Sequence, residues 1–263
     1  MIDEKLKSGF RGKDIFFLVL AAIAGLIALW SYFYLDGRIF QSLSEQPNNW
    51  NRNFWLAAVA YLGKIWLPIW LMLVWFLATG KQKPVLIAFL ALIMVGITVT
   101  PLKLLTNRPR PREVPRAGEV EQVQYLHSHK SFPSGDTASA FAAATVITFF
   151  VEWPVAFLLL AACAGVAFLR VTCMAHYPSD VFAGTAIGIL VGSLAIQMER
   201  KGLSLKPPQA IWNRNVVISA IILLPLIFGI SEGIDEFLIF LKTYGSLVIV
   251  VLLISRVKKQ LKS

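Results

Sequence analysis

The sequence predicts an all-α fold, a polytopic bundle of transmembrane helices, and three observations support this prediction. Hydrophobic residues make up 57% of the 263 residues and charged residues only 15%, against about 45–50% and about 25% in an average soluble domain. The mean hydropathy of the chain is +0.66. Several apolar runs reach the length of about 20 residues that a helix needs to cross a bilayer core. A disordered chain, a nucleic-acid-binding domain and an ordinary cytosolic enzyme are therefore excluded.

Eight apolar runs are candidate membrane spans, and six is the minimum number that the sequence supports. The first run is too long for a typical signal peptide and lacks its small-residue cleavage site, so we interpret it as a membrane anchor. The fourth and seventh runs are short, with 17 and 15 residues. In chain order the eight candidates are Ile15–Leu35, Phe54–Thr79, Pro84–Leu102, Thr137–Trp153, Pro154–Thr172, Val181–Met198, Val216–Ile230 and Phe237–Ser255.

The distribution of basic residues predicts the orientation of these spans. With both termini in the cytoplasm, 14 of the 25 Lys and Arg residues fall in inner segments, eight in outer loops and three within spans. Six of the eight outer residues lie in one loop, Lys103–Lys130. Because cytoplasmic loops are enriched in Lys and Arg, we expect a multi-pass protein of the cytoplasmic (inner) membrane with this loop on the outer, periplasmic side. The net charge of +10 then requires no nucleic-acid partner.

Three polar motifs are predicted to meet at this outer face. The segment Lys103–Pro111 follows the third span, Phe132–Thr137 opens the fourth, and Arg170–Asp180 joins the fifth to the sixth. The first two motifs are separated by the longest polar stretch between spans, and long loops in compact proteins are usually functional or disordered. We therefore expect the functional site at this face.

The residue types in these motifs fit the binding and transfer of a phosphate group. Lys103, Arg110 and Arg170 supply three cations, and guanidinium groups match the oxygens of a phosphate. His176 offers a nitrogen nucleophile that is largely neutral near pH 7. Asp180, four residues later, can hold one imidazole nitrogen and leave the other exposed.

The second motif adds a helix start and a carboxylate. Ser134 and Gly135 open a predicted helix, so backbone N–H groups and the positive end of the helix dipole face an anion. Asp136 is a candidate proton donor to a leaving oxygen, or a carboxylate that only interacts with the helix dipole. The sequence contains no dense cluster of metal ligands, so we expect neither a metal nor another cofactor.

The pattern K-x6-RP, PSG-D and R-x5-H-x3-D over Lys103–Asp180 resembles the type 2 phosphatidic acid phosphatase (PAP2) superfamily. That group includes bacterial lipid phosphate, phosphatidylglycerophosphate, undecaprenyl pyrophosphate and lipid A phosphatases, and soluble vanadium haloperoxidases share its site. The resemblance implies a catalytic membrane domain with a six-helix core, which we assign to residues 1–202. The last two apolar runs, which carry no family signature, predict a membrane extension of two helices over residues 203–263. It implies a transient phosphohistidine at His176, orientation of that imidazole by Asp180, and phosphate binding by Lys103, Arg110, Arg170, Ser134 and Gly135.

The chain departs from the family pattern at two positions. The second motif usually ends in His, the general acid, where this chain has Asp136, and the third usually has Ser where this chain has Leu169. An ionised Asp has no proton to give near neutral pH. Either Asp136 is the acid and activity falls above mildly acidic pH, or it is a helix-terminal carboxylate and the substrate is a diphosphate whose leaving group needs little protonation.

The predicted function is hydrolysis of a phosphomonoester or diphosphate headgroup on a phospholipid, polyprenyl or lipid A phosphate. Two alternatives remain, a lipid-to-lipid phosphotransferase with the same intermediate and a catalytically degenerate protein that binds or translocates phospholipid. Outside the motifs, His127 and His129 are interpreted as loop residues, either of which could replace the missing proton donor. Lys64 and Lys242 lie within predicted spans, where a charge faces a cavity or reaches toward the headgroups.

Overall fold

The computed structural model describes residues 12–44, 66–111, 114, 130–203 and 217–218. These residues form helices joined by turns, with no β-strand among them, which confirms the all-α prediction. Four of the helices in this part of the chain are long and apolar enough to cross a membrane, and the chain is a multi-pass membrane protein. The helices are α1 (Gly12–Tyr34), α2 (Asp36–Ser44), α3 (Trp66–Thr79), α4 (Gln82–Thr106), α5 (Gly135–Thr148), α6 (Trp153–Thr172) and α7 (Pro178–Arg200), of which α1, α4, α6 and α7 are the four candidate spans.

Each of the first six predicted spans contains a helix, and among the described residues the largest boundary difference is at the end of the fourth span. The fourth span was predicted to reach Trp153, whereas α5 ends at Thr148 and Trp153 already begins α6. The polar helix α2 was not predicted, because its nine residues are too few and too hydrophilic to register as a span. The seventh and eighth predicted spans, except residues 217–218, and the first half of the second lie outside the described residues.

The early end of α5 is explained by a lysine from α1. Lys13 Nζ donates hydrogen bonds to the backbone oxygens of Thr148, at 2.5 Å, and Val151, at 2.8 Å. These carbonyls belong to the last turn of the helix and the turn after it, where no backbone N–H of the helix remains to bind them. Nearby, Asp14 of α1 accepts hydrogen bonds from Arg200 of α7 at 2.9 and 3.0 Å. This end of the bundle is therefore held by α1.

Glycines on α7 bring this helix into close contact with α5. Gly184, Gly188 and Gly192 follow one another at intervals of four residues, so they lie on one face of α7. A Cβ atom at any of them would lie only 2.3 to 2.7 Å from a backbone oxygen of α5. The three oxygens belong, in the same order, to Ser134, Ala138 and Ala142. Because the residue numbers increase in the same direction along both helices, α5 and α7 run parallel. Small residues let membrane helices approach this closely.

Replacing Gly188 by Ala is therefore expected to destabilise the protein by about 1–3 kcal/mol, the usual effect of overpacking a tight interface. The new Cβ would lie 2.3 Å from the Ala138 oxygen and 3.0 Å from the Phe141 Cβ, and neither atom can move without its helix. Gly165→Ala is the matched control, since a Cβ at Gly165 meets nothing within 4 Å. Thermal unfolding in detergent measures both variants, and equal melting temperatures would contradict this account of the contact.

Candidate active site

Four helix ends meet at the end of the bundle opposite the Lys13 contact. The parallel helices α5 and α7 both begin here, so the partial positive charges of two helix N-termini point to one place. Helices α4 and α6 both finish here, with Lys103 and Arg170 in their last turns. Cations and helix N-termini together make this end a binding place for an anion.

His176 lies at the centre of this end, between α6 and α7, and is 2% exposed. Its backbone N–H donates to the Arg170 backbone oxygen at 3.1 Å, which orients the residue. Its Nδ1 lies 3.4 Å from Ser131 Oγ and 3.7 Å from Asp180 Oδ2. Burial lowers the pKa of His176, and the nearby charges of Arg170 and Arg110 act in the same direction, against Asp180. The imidazole is therefore neutral at pH 7, as a nucleophile must be.

Asp180, in the first turn of α7, is fully buried and held at both oxygens. Its Oδ2 accepts hydrogen bonds from the Ser131 hydroxyl at 2.5 Å and the Tyr177 backbone N–H at 2.9 Å. Its Oδ1 accepts one from Arg108 Nη1 at 2.8 Å. At 3.7 Å the carboxylate and His176 are too far apart for a good direct hydrogen bond. The Ser131 hydroxyl lies between them and links the two.

The three predicted cations lie in one cluster around this pair. Lys103 Nζ donates to the Lys130 backbone oxygen at 2.6 Å. Lys103 interacts electrostatically with Arg110 and Arg170, and with the two carboxylates Asp136 and Asp180. Like charges gathered this closely repel one another, so an anion bound among them is stabilised.

Asp136 pairs directly with one of these cations. Its Oδ2 accepts a hydrogen bond from Arg170 Nη2, and the two side chains are 24% and 11% exposed. An ion pair of this kind uses the ionised carboxylate, which accepts hydrogen bonds and donates none. The Asp136 carboxylate therefore binds the guanidinium of Arg170, the group that a phosphate would also bind.

Ser134 and Gly135 are placed differently within the second motif. Ser134 is fully buried at the N-cap of α5, where its Oγ accepts from the Thr137 N–H and its own N–H donates to the Asp180 backbone oxygen at 2.9 Å. Both of its polar groups are thus used within the protein. Gly135 begins α5 beside the Lys103 side chain, and the N–H groups of a first helical turn have no partner within the helix.

Sequence reasoning missed several polar residues that surround Asp180. Ser131 belongs to the polar run before the second motif, and Arg108 is the first arginine of the NRPRP segment. Asp36 and Ser179 both contact Arg108, and an acidic residue directly after a long apolar run was the available signal for Asp36. The histidines His127 and His129 and the lysines Lys64 and Lys242 lie outside the described residues.

Comparison with known protein families finds a matching family. A family model described as the PAP2 superfamily matches residues 84–204, a segment that includes all of α4 except its first two residues, α5 to α7 and all three motifs. Lipid phosphate phosphatase 1 of Arabidopsis thaliana is 32% identical over 133 residues, which cover 39% of this chain and 40% of the relative. Lipid A 1-phosphatase of Rhizobium johnstonii is 37% identical over 123 residues, 45% of this chain and 49% of the relative.

The chain thus spans less than half the length of these two curated relatives. Among solved structures, the crystal structure of Aquifex aeolicus LpxE is similar, with a TM-score of 0.50 and 28% identity. The match covers 62% of this chain and 95% of that one. The similarity therefore extends over nearly the whole of that solved chain.

Proposed function

Because a family model described as the PAP2 superfamily matches residues 84–204, we propose that this membrane protein is a PAP2-type lipid phosphatase that acts through a phosphohistidine. The observation that carries the proposal is the burial of His176 against Ser131 and Asp180. One edge of the imidazole faces these acceptors, so the opposite nitrogen, Nε2, is the nucleophile. The surrounding cations and helix N-termini supply the stabilisation that a phosphoryl group needs.

The reaction proceeds in two steps at phosphorus. In the first, Nε2 of His176 attacks, an N–P bond forms, and the bond from phosphorus to the leaving oxygen breaks with its electron pair. In the second, water attacks phosphorus, the N–P bond breaks, and its electron pair returns to Nε2 as inorganic phosphate leaves. Lys103, Arg110 and Arg170 bind the phosphoryl oxygens in both steps, and fixed donors of this kind contribute the largest part of such catalysis.

The nature of Asp136 bears on the substrate. As an ion-pair partner of Arg170, the Asp136 carboxylate has no proton for the leaving oxygen. This favours a substrate whose leaving group needs little protonation over one that needs Asp136 as a general acid. A lipid monophosphate departing from a lipid diphosphate satisfies this requirement. So does the anomeric oxygen of a lipid A 1-phosphate, the class named for one relative, because it is a weaker base than an ordinary alkoxide. We therefore propose these two substrate classes ahead of simple alkyl phosphates.

Phosphate release from four lipids tests the proposal with detergent-purified full chain. We expect undecaprenyl diphosphate and lipid A 1-phosphate to react about 10²-fold faster than phosphatidic acid and phosphatidylglycerophosphate, because general acid catalysis is worth about that much. Release that needs a second acceptor lipid would favour the phosphotransferase. Headgroup binding without any release would favour the degenerate protein.

Activity is expected to survive excess EDTA and to be inhibited by vanadate. The charge of the phosphate is met by three basic side chains, and no group of three His, Cys, Asp or Glu among the described residues is placed to hold a metal ion. Vanadate, with the five-coordinate geometry of phosphoryl transfer, would occupy the same cluster. A phosphate-release assay measures both effects. Loss of activity in EDTA that magnesium restores would contradict this prediction.

We propose that the site faces the outside of the inner membrane, as the excess of inner basic residues supports. Two exposed lysines at opposite ends of the described bundle provide a matched test, Lys130 beside the site and Lys201 after α7. In a chain whose native cysteines, Cys163 and Cys173, are replaced, Lys130→Cys should react with a membrane-impermeant maleimide in spheroplasts. Lys201→Cys should react only after lysis. The reverse pattern would invert the orientation.

A further inference from the structure

The side chain of Arg108, which follows the end of α4, connects this segment to α2 and α7. Its Nη1 donates to Ser179 Oγ and to Asp180 Oδ1, both at 2.8 Å, and its Nη2 donates to Asp36 Oδ2 at 2.7 Å. The guanidinium lies 3.9 Å from the ring centroid of Tyr177, close enough for a cation–π contact. A planar fork with two carboxylates in contact is a use of arginine that lysine does not reproduce.

Asp36 holds Arg108 in this position from the start of α2. Its side chain is 5% exposed, and it accepts hydrogen bonds from the Ser179 backbone N–H at 2.9 Å, the Ser179 hydroxyl and the Ser31 hydroxyl at 3.3 Å. A buried carboxylate with this many donors is fixed in place. The junction of α1 and α2 is thereby fastened to the first turn of α7.

The two oxygens of Asp180 face in different directions. Oδ2 faces Ser131 and His176, whereas Oδ1 is taken by Arg108. The chain of contacts runs from Asp36 through Arg108 and Asp180 to His176, the nucleophile of the proposed function on which this inference rests. We propose that Arg108 is a positioning residue that acts on His176 through Asp180, and that Asp36 anchors it.

Arg108 has a second effect on the nucleophile through its charge. A carboxylate beside an imidazole favours the protonated ring, which cannot attack phosphorus. Arg108 offsets part of the Asp180 charge, so His176 stays neutral while the carboxylate still orients it. Besides Asp180 of α7, the charged groups that act on the pKa of His176 are Arg170 from α6 and Arg110 from the segment after α4, and both arginines favour the neutral ring.

Two substitutions at Arg108 separate charge from geometry. Arg108→Gln removes both, so we expect the pKa of His176 and the acid limb of kcat against pH to rise by about one pH unit. The plateau value of kcat should also fall about 10- to 100-fold, as when a reacting group is misplaced. Arg108→Lys keeps the charge, so its acid limb should stay near that of the wild type while its plateau falls. KM should change little in either variant, because the Arg108 guanidinium is already bound by Asp36, Ser179 and Asp180.

The His176 titration can be followed without any enzymatic activity. The chain has three histidines, so NMR of histidine-labelled protein in detergent resolves few signals, and His176→Ala identifies the one of interest. A wild-type protein that releases no phosphate would defeat the proposed function, whereas the NMR comparison would still test the effect of Arg108 on His176. An unchanged His176 pKa in folded Arg108→Gln would overturn the inference.

Two further variants guard against misfolding and nonspecific effects. Arg108→Gln leaves the buried Asp36 without its cation, which can unfold a protein. The double variant Asp36→Asn/Arg108→Gln removes both charges and should show the same rise in the His176 pKa. Arg38→Gln, at an exposed position of α2, should leave kcat and the acid limb unchanged. A loss in Arg38→Gln equal to that in Arg108→Gln, or a double variant with a wild-type pH profile, would overturn the inference.

Discussion

Replacing His176 by Ala is expected to lower phosphate release by about 10³-fold or more, the size of effect seen when an enzyme loses its nucleophile. Among the described residues His176 is the buried neutral imidazole next to a carboxylate, and its neighbours Ser131 and Asp180 are oriented toward it. Removing the ring removes the nitrogen atom that we propose as the acceptor of the phosphoryl group. The cations would remain, and they can still bind the substrate.

The proposed covalent intermediate gives this prediction a direct measurement. Wild-type protein mixed with ³²P-labelled lipid and quenched rapidly should carry an acid-labile, base-stable label, and His176→Ala should carry none. His127→Ala and His129→Ala serve as controls and should keep most of the activity. A folded His176→Ala protein that retains a tenth of the wild-type rate would show that the nucleophile lies elsewhere.

Replacing Arg170 by Ala is expected to lower kcat by about 10²- to 10³-fold, the usual cost of losing one donor to a developing charge. Arg170 is buried and lies at the end of α6, against the carboxylate of Asp136. The ion pair places its guanidinium among the other cations, where a phosphoryl oxygen would replace the carboxylate. Phosphate release as a function of substrate concentration separates the effect on kcat from that on KM.

Asp136→Asn provides the opposite change at the same contact. Without the carboxylate, the phosphate or vanadate no longer competes with Asp136 for Arg170. KM and the vanadate concentration for half inhibition should therefore both fall several-fold, which corresponds to about 1 kcal/mol for the lost ion pair. A lipid diphosphate should show little loss of kcat. A severe loss confined to monophosphates, with a changed basic limb of the pH profile, would instead identify Asp136 as the general acid. An equal severe loss on both substrates would indicate a positioning role.

The motif spacing was sufficient to predict which groups meet at the site. Lys103 and Arg170 lie in last turns and Asp180 in a first turn, and such helix ends can be predicted because apolar runs stop where polar residues begin. The four-residue step from His176 to Asp180 also predicted their proximity, although Ser131 mediates the contact. Local pattern thus carries most of the information about this part of the site.

Residues whose partners are distant in the chain could not be predicted in this way. Asp36 contacts Ser179 across 143 positions, and Arg108 contacts Asp180 across 72, and no periodicity in a single sequence connects such pairs. The end of α5 depends likewise on Lys13, 135 residues from Thr148. The end of α5 at Thr148 therefore depends on a tertiary contact. The residues that follow are mostly apolar, and their character alone predicted a longer helix.

The contacts of α1 and α2 with α7 have a consequence for the synthesis of the protein. Asp36 meets Ser179 only after 143 further residues have been made, which at usual translation rates takes about 7 to 30 s. Asp14 and Asp36 lie at the two ends of α1 or just beyond it, where an unpaired carboxylate can stay in water while the helix is already inserted; near the middle of the span it would be costly. Insertion of α7 buries both carboxylates, so a nascent chain released before residue 178 should be exposed to membrane proteases that the finished chain resists.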